Sequence, residues 1–302
     1  MNCLCNRPLR IAALFMLVAA DRVGAQGEKI LIRLLPKPNQ TVRFEITQET
    51  DVDVVYEGNR DASSQYPGNE KTKGKSTFAF TQKNGAVNEQ GRMEALVTYD
   101  KVSMESSVNG KTEPADNTSD KLIGKTITLI FDKEGAIVDV KVPREVEIPA
   151  DTFKQIMSSI YSNLPTTPLA IGETATMPFR MTLPIPEMGS GPLDLEGQTK
   201  YTLVSIANEN GGRVARFEQT VSAGLIRAFE VDTYTGKGKV RVDFKLSGDG
   251  ALQLNLDKGI MTAGNLLTTL DGNMTMDGGA QNAKSQVIRF HGTTKMVSTG
   301  RE

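Results

Sequence analysis

The residues of this chain with chemical potential are acidic turns, a methionine pair and one histidine. Three turns open on aspartate: Asp132-Lys133-Glu134-Gly135, Asp257-Lys258-Gly259 and Asp271-Gly272-Asn273. A calcium loop of the EF-hand type needs oxygen ligands at positions 1, 3, 5 and 12 and glycine at position 6. Counted from Asp132, positions 5 and 6 are Ala136 and Ile137. From Asp257, position 3 is already Gly259. From Asp271, Met276 stands where the glycine belongs and Asn282 at position 12. All three fail as calcium sites. They fit hairpin turns, in which an Asp or Asn side chain opens the turn and glycine supplies the left-handed residue.

Met274-Thr275-Met276 offers two thioethers, a ligand type suited to Cu(I). On a strand the same spacing puts both on one face, where methionine packs well. Packing is the expectation. Gly189-Ser190-Gly191 lacks the strand-turn-helix setting of a nucleophile elbow. Thr235-Gly236-Lys237-Gly238-Lys239 precedes a strand instead of opening a helix, so it cradles no phosphate. The single histidine, His291, alternates with Ile288 and Phe290 along a strand pattern and is expected to face solvent. No catalytic residue, metal site or cofactor is assigned, and carboxylate pairs are the only acid–base chemistry left open.

These residues sit in a text dominated by period-2 alternation. Val42, Phe44 and Ile46 alternate with charged or polar neighbours. Val240, Val242, Phe244 and Leu246 alternate with Lys239, Arg241, Asp243 and Lys245. Such alternation describes antiparallel strands with one face on a core and one in water. Turn chemistry punctuates them at 83–85, 108–110, 132–135, 208–212 and 248–250. One segment has another period. In 151–165, Phe153, Ile156, Met157, Ile160, Tyr161 and Leu164 form a helical stripe, with Asp151 placed to cap the start and Pro165 to end it. Residues 56–75 and 184–197 read as irregular loops, the second a candidate flap.

The first 25 residues have the organisation of a secretory signal. Arg7 and Arg10 precede the apolar run 11–20, and Val23-Gly24-Ala25 supplies small residues for cleavage near Ala25–Gln26. The run is too short to span a bilayer as a helix. The expected location is secreted or periplasmic. Cys3 and Cys5 belong to this segment, so the mature chain is expected to be free of cysteine and of disulfide staples. The segment also holds three arginines and one aspartate. The remainder carries 32 basic and 35 acidic residues, net −3. That balance gives no electrostatic case for nucleic acid.

Two fifteen-residue stretches, 121–135 and 245–259, share a Lys-Leu-x-Gly opening and a closing turn, which suggests duplication. The intervening text NLPTTPLAIGETATMPFRM (163–181), with FDKEGAIVDVKVP (131–143) and LNLDKGIMTAGNLLTTLDGNMTM (254–276), resembles an uncharacterised family of secreted bacterial β-proteins, a domain of unknown function. The resemblance spans 40–297 and implies two β-rich halves joined by a helix and a Pro-x-x-x-Gly-acid linker. Ala175 stands where members often carry tryptophan. The family brings no activity or site residues.

The expectation is a mainly β chain (α+β as the alternative), with antiparallel curved sheets or half-barrels in two similar halves and one central amphipathic helix. Its segments would be a signal at 1–25, β-rich halves at 26–148 and 169–302, and a helix and linker at 149–168. The leading function is non-catalytic binding of an apolar or lipid-like small molecule, with Phe153, Met157, Tyr161 and Phe244 as candidate ligand contacts. A structural or protein-interaction role with envelope proteins is the alternative, and a carboxylate-based hydrolase the second. Oligomeric state is not legible.

Overall fold

The structure is a computed structural model. It describes residues 27, 29–31, 34, 37–57, 69–113, 120–146, 150–151, 153–154, 157, 164–165, 167–183, 193–209, 212–233, 236–277 and 286–302. Twelve strands account for most of them: β1 (Thr41–Glu57), β2 (Glu70–Val87), β3 (Met93–Val108), β4 (Lys111–Thr112), β5 (Thr126–Phe131), β6 (Ile137–Lys141), β7 (Thr174–Leu183), β8 (Leu193–Glu209), β9 (Gly212–Thr233), β10 (Gly236–Asn255), β11 (Ile260–Asp277) and β12 (Gln286–Arg301).

All belong to one antiparallel sheet, in the order β6-β5-β3-β2-β1-β12-β11-β10-β9-β8-β7, with β4 paired to β3. The expected division into two similar half-barrels is therefore corrected. The first and last strands pair along their length, from Arg43↔Arg301 to Glu57↔Val287, and join the two series into one surface. Alternation in sequence says which face of a strand is buried but not which strand lies beside it, and these partners lie some 230–260 positions apart. The two edges, β6 and β7, are consecutive in the chain.

The expected central helix is likewise corrected. No α-helix is delineated among the described residues, and the helical element they contain is a 3-10 turn at Asp120–Leu122. Positions 150, 151, 153, 154 and 157 have helical backbone without forming a continuous described helix. The stripe reported burial on one side, and Phe153 and Met157 are indeed buried. A spacing of three and four residues signals a buried side without fixing the length of regular backbone that carries it.

The two similar stretches diverge where they look most alike. Lys121, Leu122 and Gly124 belong to the 3-10 turn and the bend after it, Gly124 having φ 74°. Lys245, Leu246 and Gly248 lie inside β10. The shared opening is therefore not evidence of a structural repeat. Their closing turns are alike in principle. Asp132 Oδ1 accepts from the N–H groups of Glu134 and Ala136 at 2.8 and 2.9 Å, and Gly135 takes φ 83°. In the second, Asn255 Oδ1 accepts from Lys258 N–H at 2.9 Å, Gly259 takes φ 67°, and Asp257 is drawn aside to the Arg213 N–H at 2.7 Å. Asp132→Ala is expected to cost about 1 kcal/mol, the net worth of such side-chain hydrogen bonds. Urea denaturation checks this. An unchanged midpoint would mean that Gly135 alone sets the turn.

The irregular stretches are shorter than expected. β1 continues to Glu57 and β2 begins at Glu70, while β8 begins at Leu193. Residues 58–68 and 184–192, the flap candidate included, lie outside the described residues, as does the whole segment 1–25. The chain is not cysteine-free, since it holds Cys3 and Cys5. That description applied only to the part after residue 25.

A candidate apolar binding face

Strand alternation and register together sort the sheet into two chemically opposite faces. Along the rows Phe44↔Phe80, Val242↔Met274↔Ile288 and Leu246↔Leu270, paired side chains share the inner side. The outer side carries the charges. Glu49, Asp51 and Asp53 of β1 stand opposite Lys75, Lys73 and Lys71 of β2. The closest of these pairs, Lys75 Nζ to Glu49 Oε1, is 2.9 Å. Its hydrogen bond, aided by its charge, holds the Glu49 carboxyl below the usual range. A lipid-exposed barrel needs an apolar exterior. This sheet has the reverse pattern. Among the described residues no helix is long and apolar enough to cross a membrane.

The inner face buries three apolar clusters. One gathers Phe80, Tyr99, Leu129 and Phe131 with Phe153 and Met157. Tyr99 lies edge-on to Phe153 at 6.5 Å, and burial pushes its hydroxyl up to about 12. A second cluster, near the chain's other end of the sheet, holds Leu195, Val242, Phe244, Leu246, Met274 and Ile288. A third joins Ile30, Leu34 and Leu169 to Tyr201, Phe217 and Leu254.

The candidate contacts thus divide. Phe153 and Met157, each 4% exposed, lie in the first cluster, and Phe244, 3% exposed, lies in the second against Phe290 at 5.6 Å. Tyr161 lies outside the described residues. Near Met157 a small void of about 30 Å³ is lined by Leu34, Val42, Phe44, Phe80, Ile260 and Met261. It has room for about one water molecule.

The second cluster differs from the first in what lies above it. Among the described residues it is built from strands, and its fully buried layer carries half-buried apolar side chains: Phe179, Met181, Leu225, Leu270, Met276 and Phe290 among them. These are the residues that sequence reasoning missed. The signal was present as period-2 alternation in β7, β9, β11 and β12. What it could not show was that β7 through β12 and then β1 form one adjoining surface. Met274 and Met276 both belong to it, so the methionine pair packs as expected.

Two larger concavities are also present. One, about 590 Å³, is lined by Glu49, Asp51, Lys73, Lys75, Glu105 and Lys295, with hydroxyl-bearing residues between them. The other, about 570 Å³, is lined by apolar Ala251, Ala263, Leu266, Leu267 and Val297 together with polar residues such as Asp249 and Gln253. His291 is exposed on the outer side with its Nδ1 2.7 Å from Asp271 Oδ1.

Little here supports acid catalysis. A carboxyl group that donates a proton near neutrality needs its pKa raised, usually by burial in an apolar setting. No Asp or Glu is buried among the described residues. The resolved shifts run the other way: the backbone N–H of Ala170, then Lys29, holds Glu173 down, and Lys258 does the same for Glu302. Among the described residues no group of three or more His, Cys, Asp or Glu is placed to hold a metal.

No family model matches the chain, which overturns the resemblance to the uncharacterised secreted family. That resemblance rested on turn motifs, which any hairpin-rich sheet reuses. No curated protein matches it either. Among solved structures the chain is similar to one concerned with lipid–protein interactions in lipovitellin, at 10% identity with a TM-score of 0.41, covering 85% of this chain and 25% of that one. The chain spans about a quarter of that protein's length.

Proposed function

We propose that this is a non-catalytic binding protein whose inner sheet face takes the apolar chain of a lipid-like small molecule, in the secreted or periplasmic setting expected from residues 1–25. One observation carries this reading: a broad apolar layer over β7–β12 and β1 that is half-buried rather than covered. Water against that layer is costly at about 25 cal/mol per Å² of apolar surface, and a ligand chain would remove it. Phe244 would form the floor of the site, and Leu225, Leu270 and Phe290 would contact the ligand. Phe153 and Met157 would support it from the neighbouring cluster. An envelope protein adding a strand at the sheet edge is less favoured. The β7 edge contains Pro178, and the other edge, β6, is five residues long.

The test uses the two faces of one strand. Leu270 is half-buried on the inner face, whereas Leu267, three positions earlier, is 54% exposed on the outer face. Leu270→Asp is expected to weaken binding of a fluorescent 16-carbon probe at least tenfold, a loss of about 1.4 kcal/mol. Leu267→Asp should leave it within twofold. Equal losses in both variants, or no binding by the unaltered chain, would overturn the reading. Circular dichroism of each variant confirms that the sheet is intact.

A further inference from the structure

Over its second cluster the apolar face carries a single charge. From β7 through β12 and on to the second half of β1, the inner positions are apolar or neutral polar residues except for two on β9: Arg213, at the start of the strand and paired with Asp257 at 3.4 Å, and Arg227. Register places Arg227 on that side, opposite Val242, whose row continues through Met274 and Ile288 to Tyr56. The flanking outer residue on β9, Ile226, is 69% exposed, and Arg227 itself is exposed to solvent.

Arg227 has no carboxylate partner among the described residues. Its guanidinium carbon lies 6.0 Å from the centroid of the Phe229 ring, two positions along the same face. Arg180, Arg216 and Arg289 elsewhere on the sheet are paired with Asp194, Glu209 and Glu57. Glu70 is the inner-face carboxylate beside this region, and it lies on β2. β1, β12, β11 and β10 stand between it and β9, a separation along the sheet of roughly 24 Å. Glu70 also accepts a hydrogen bond from the Thr72 hydroxyl at 3.2 Å.

An unpaired guanidinium is inexpensive while water reaches it. Covering the face with a neutral chain would strip that water and leave a charge without a partner. An anionic head group removes the penalty. The planar fork of arginine matches carboxylate or phosphate oxygens two at a time. Aligned with Phe229, it stands at one end of an apolar row that runs four strand spacings, roughly 19 Å, to Tyr56.

We propose that Arg227 anchors the anionic head of a single-chain amphiphile whose apolar tail lies across the inner face toward β12 and β1. This rests on the apolar-face reading and adds the charge of the ligand to it. Carboxylate and phosphate heads share the chemistry, and the experiment separates them.

The affinities of a 16-carbon fatty acid, the 16-carbon alcohol and a lysophosphatidic acid are measured on the full chain, on Arg227→Gln and on Arg227→Lys. The unaltered chain is expected to prefer the acid to the alcohol about tenfold, and to lose part of that preference as salt is raised. In Arg227→Gln the acid-to-alcohol ratio should fall to about one, and Arg227→Lys should keep a ratio between the two. Tighter binding of lysophosphatidic acid than of the fatty acid would assign a phosphate head, and the opposite order a carboxylate. An acid-to-alcohol ratio unchanged in Arg227→Gln would overturn the anchor while leaving the apolar face standing. Binding of none of the three would remove the face reading and the anchor together. Thermal melting of both variants shows whether a change in ratio arises in a folded sheet.

Discussion

Gly197→Ala is expected to lower the thermal midpoint by about 10 °C. Gly197 is on the inner side of β8, opposite Ala223 of β9. A methyl group there would overlap the Ser222 carbonyl oxygen and the Ala223 Cα. Both obstacles are backbone, so no side-chain rotation relieves them. The alternative is to spread β8 from β9, which weakens ladder hydrogen bonds and disturbs the buried layer formed by Leu195 and Val221. Overpacking of this kind costs about 3 kcal/mol or more. In a domain of this size each kcal/mol moves the midpoint by about 2–4 °C. Differential scanning calorimetry would check it. The control is Gly110→Ala, where the added carbon meets nothing within 4 Å and the strain comes from φ 79° alone. A drop at Gly197 no larger than at Gly110 would mean that the two strands have slack between them.

Most of the strand content was legible because alternation is a local signal. Val240 to Leu246 read as a strand from their own spacing, and the structure buries those residues on one side of β10. Some turns were legible for the same reason, since Asp132 and Gly135 act within five residues of each other, but 83–85, 248–250 and Asp271-Gly272-Asn273, expected as turns, lie inside β2, β10 and β11. Two things were hidden. The β1–β12 pairing depends on contacts between opposite ends of the chain, and without it the alternation of each half suggests a separate sheet. The apolar face depends on that pairing too, because Tyr56 adjoins Ile288 only through it. Phe244 stood out in sequence as an inward aromatic, but inward on a two-sided strand does not separate a floor residue from a ligand contact. Arg227 could not stand out at all. LIRAFEV (225–231) reads as an ordinary amphipathic strand, and the placing of its arginine on the apolar side becomes visible only when Leu225 and Phe229 are known to share that side.

The coupling between Phe244 and Gly272 should make their substitutions strongly non-additive. The two residues are partners across β10 and β11. The Phe244 ring lies over Gly272 so closely that a methyl group at 272 would overlap two ring carbons. Gly272→Ala alone should therefore displace the ring and cost about 1–3 kcal/mol. Phe244→Ala alone removes a buried ring and should cost about 3–5 kcal/mol. In the double variant the methyl group of residue 272 occupies space the ring has left, so its own cost nearly disappears. The coupling, read from urea unfolding of all four proteins, is expected at about 1–3 kcal/mol in the direction of relief. Additivity within 0.5 kcal/mol would show that the ring does not rest on the glycine. The same cycle bears on function. If Phe244 is the floor of the apolar face, Phe244→Ala deepens the site, and a 16-carbon probe should still bind in a sheet that remains folded. Loss of binding without loss of stability would instead make Phe244 a direct contact, and the face shallower than its neighbours Leu225 and Phe290 indicate.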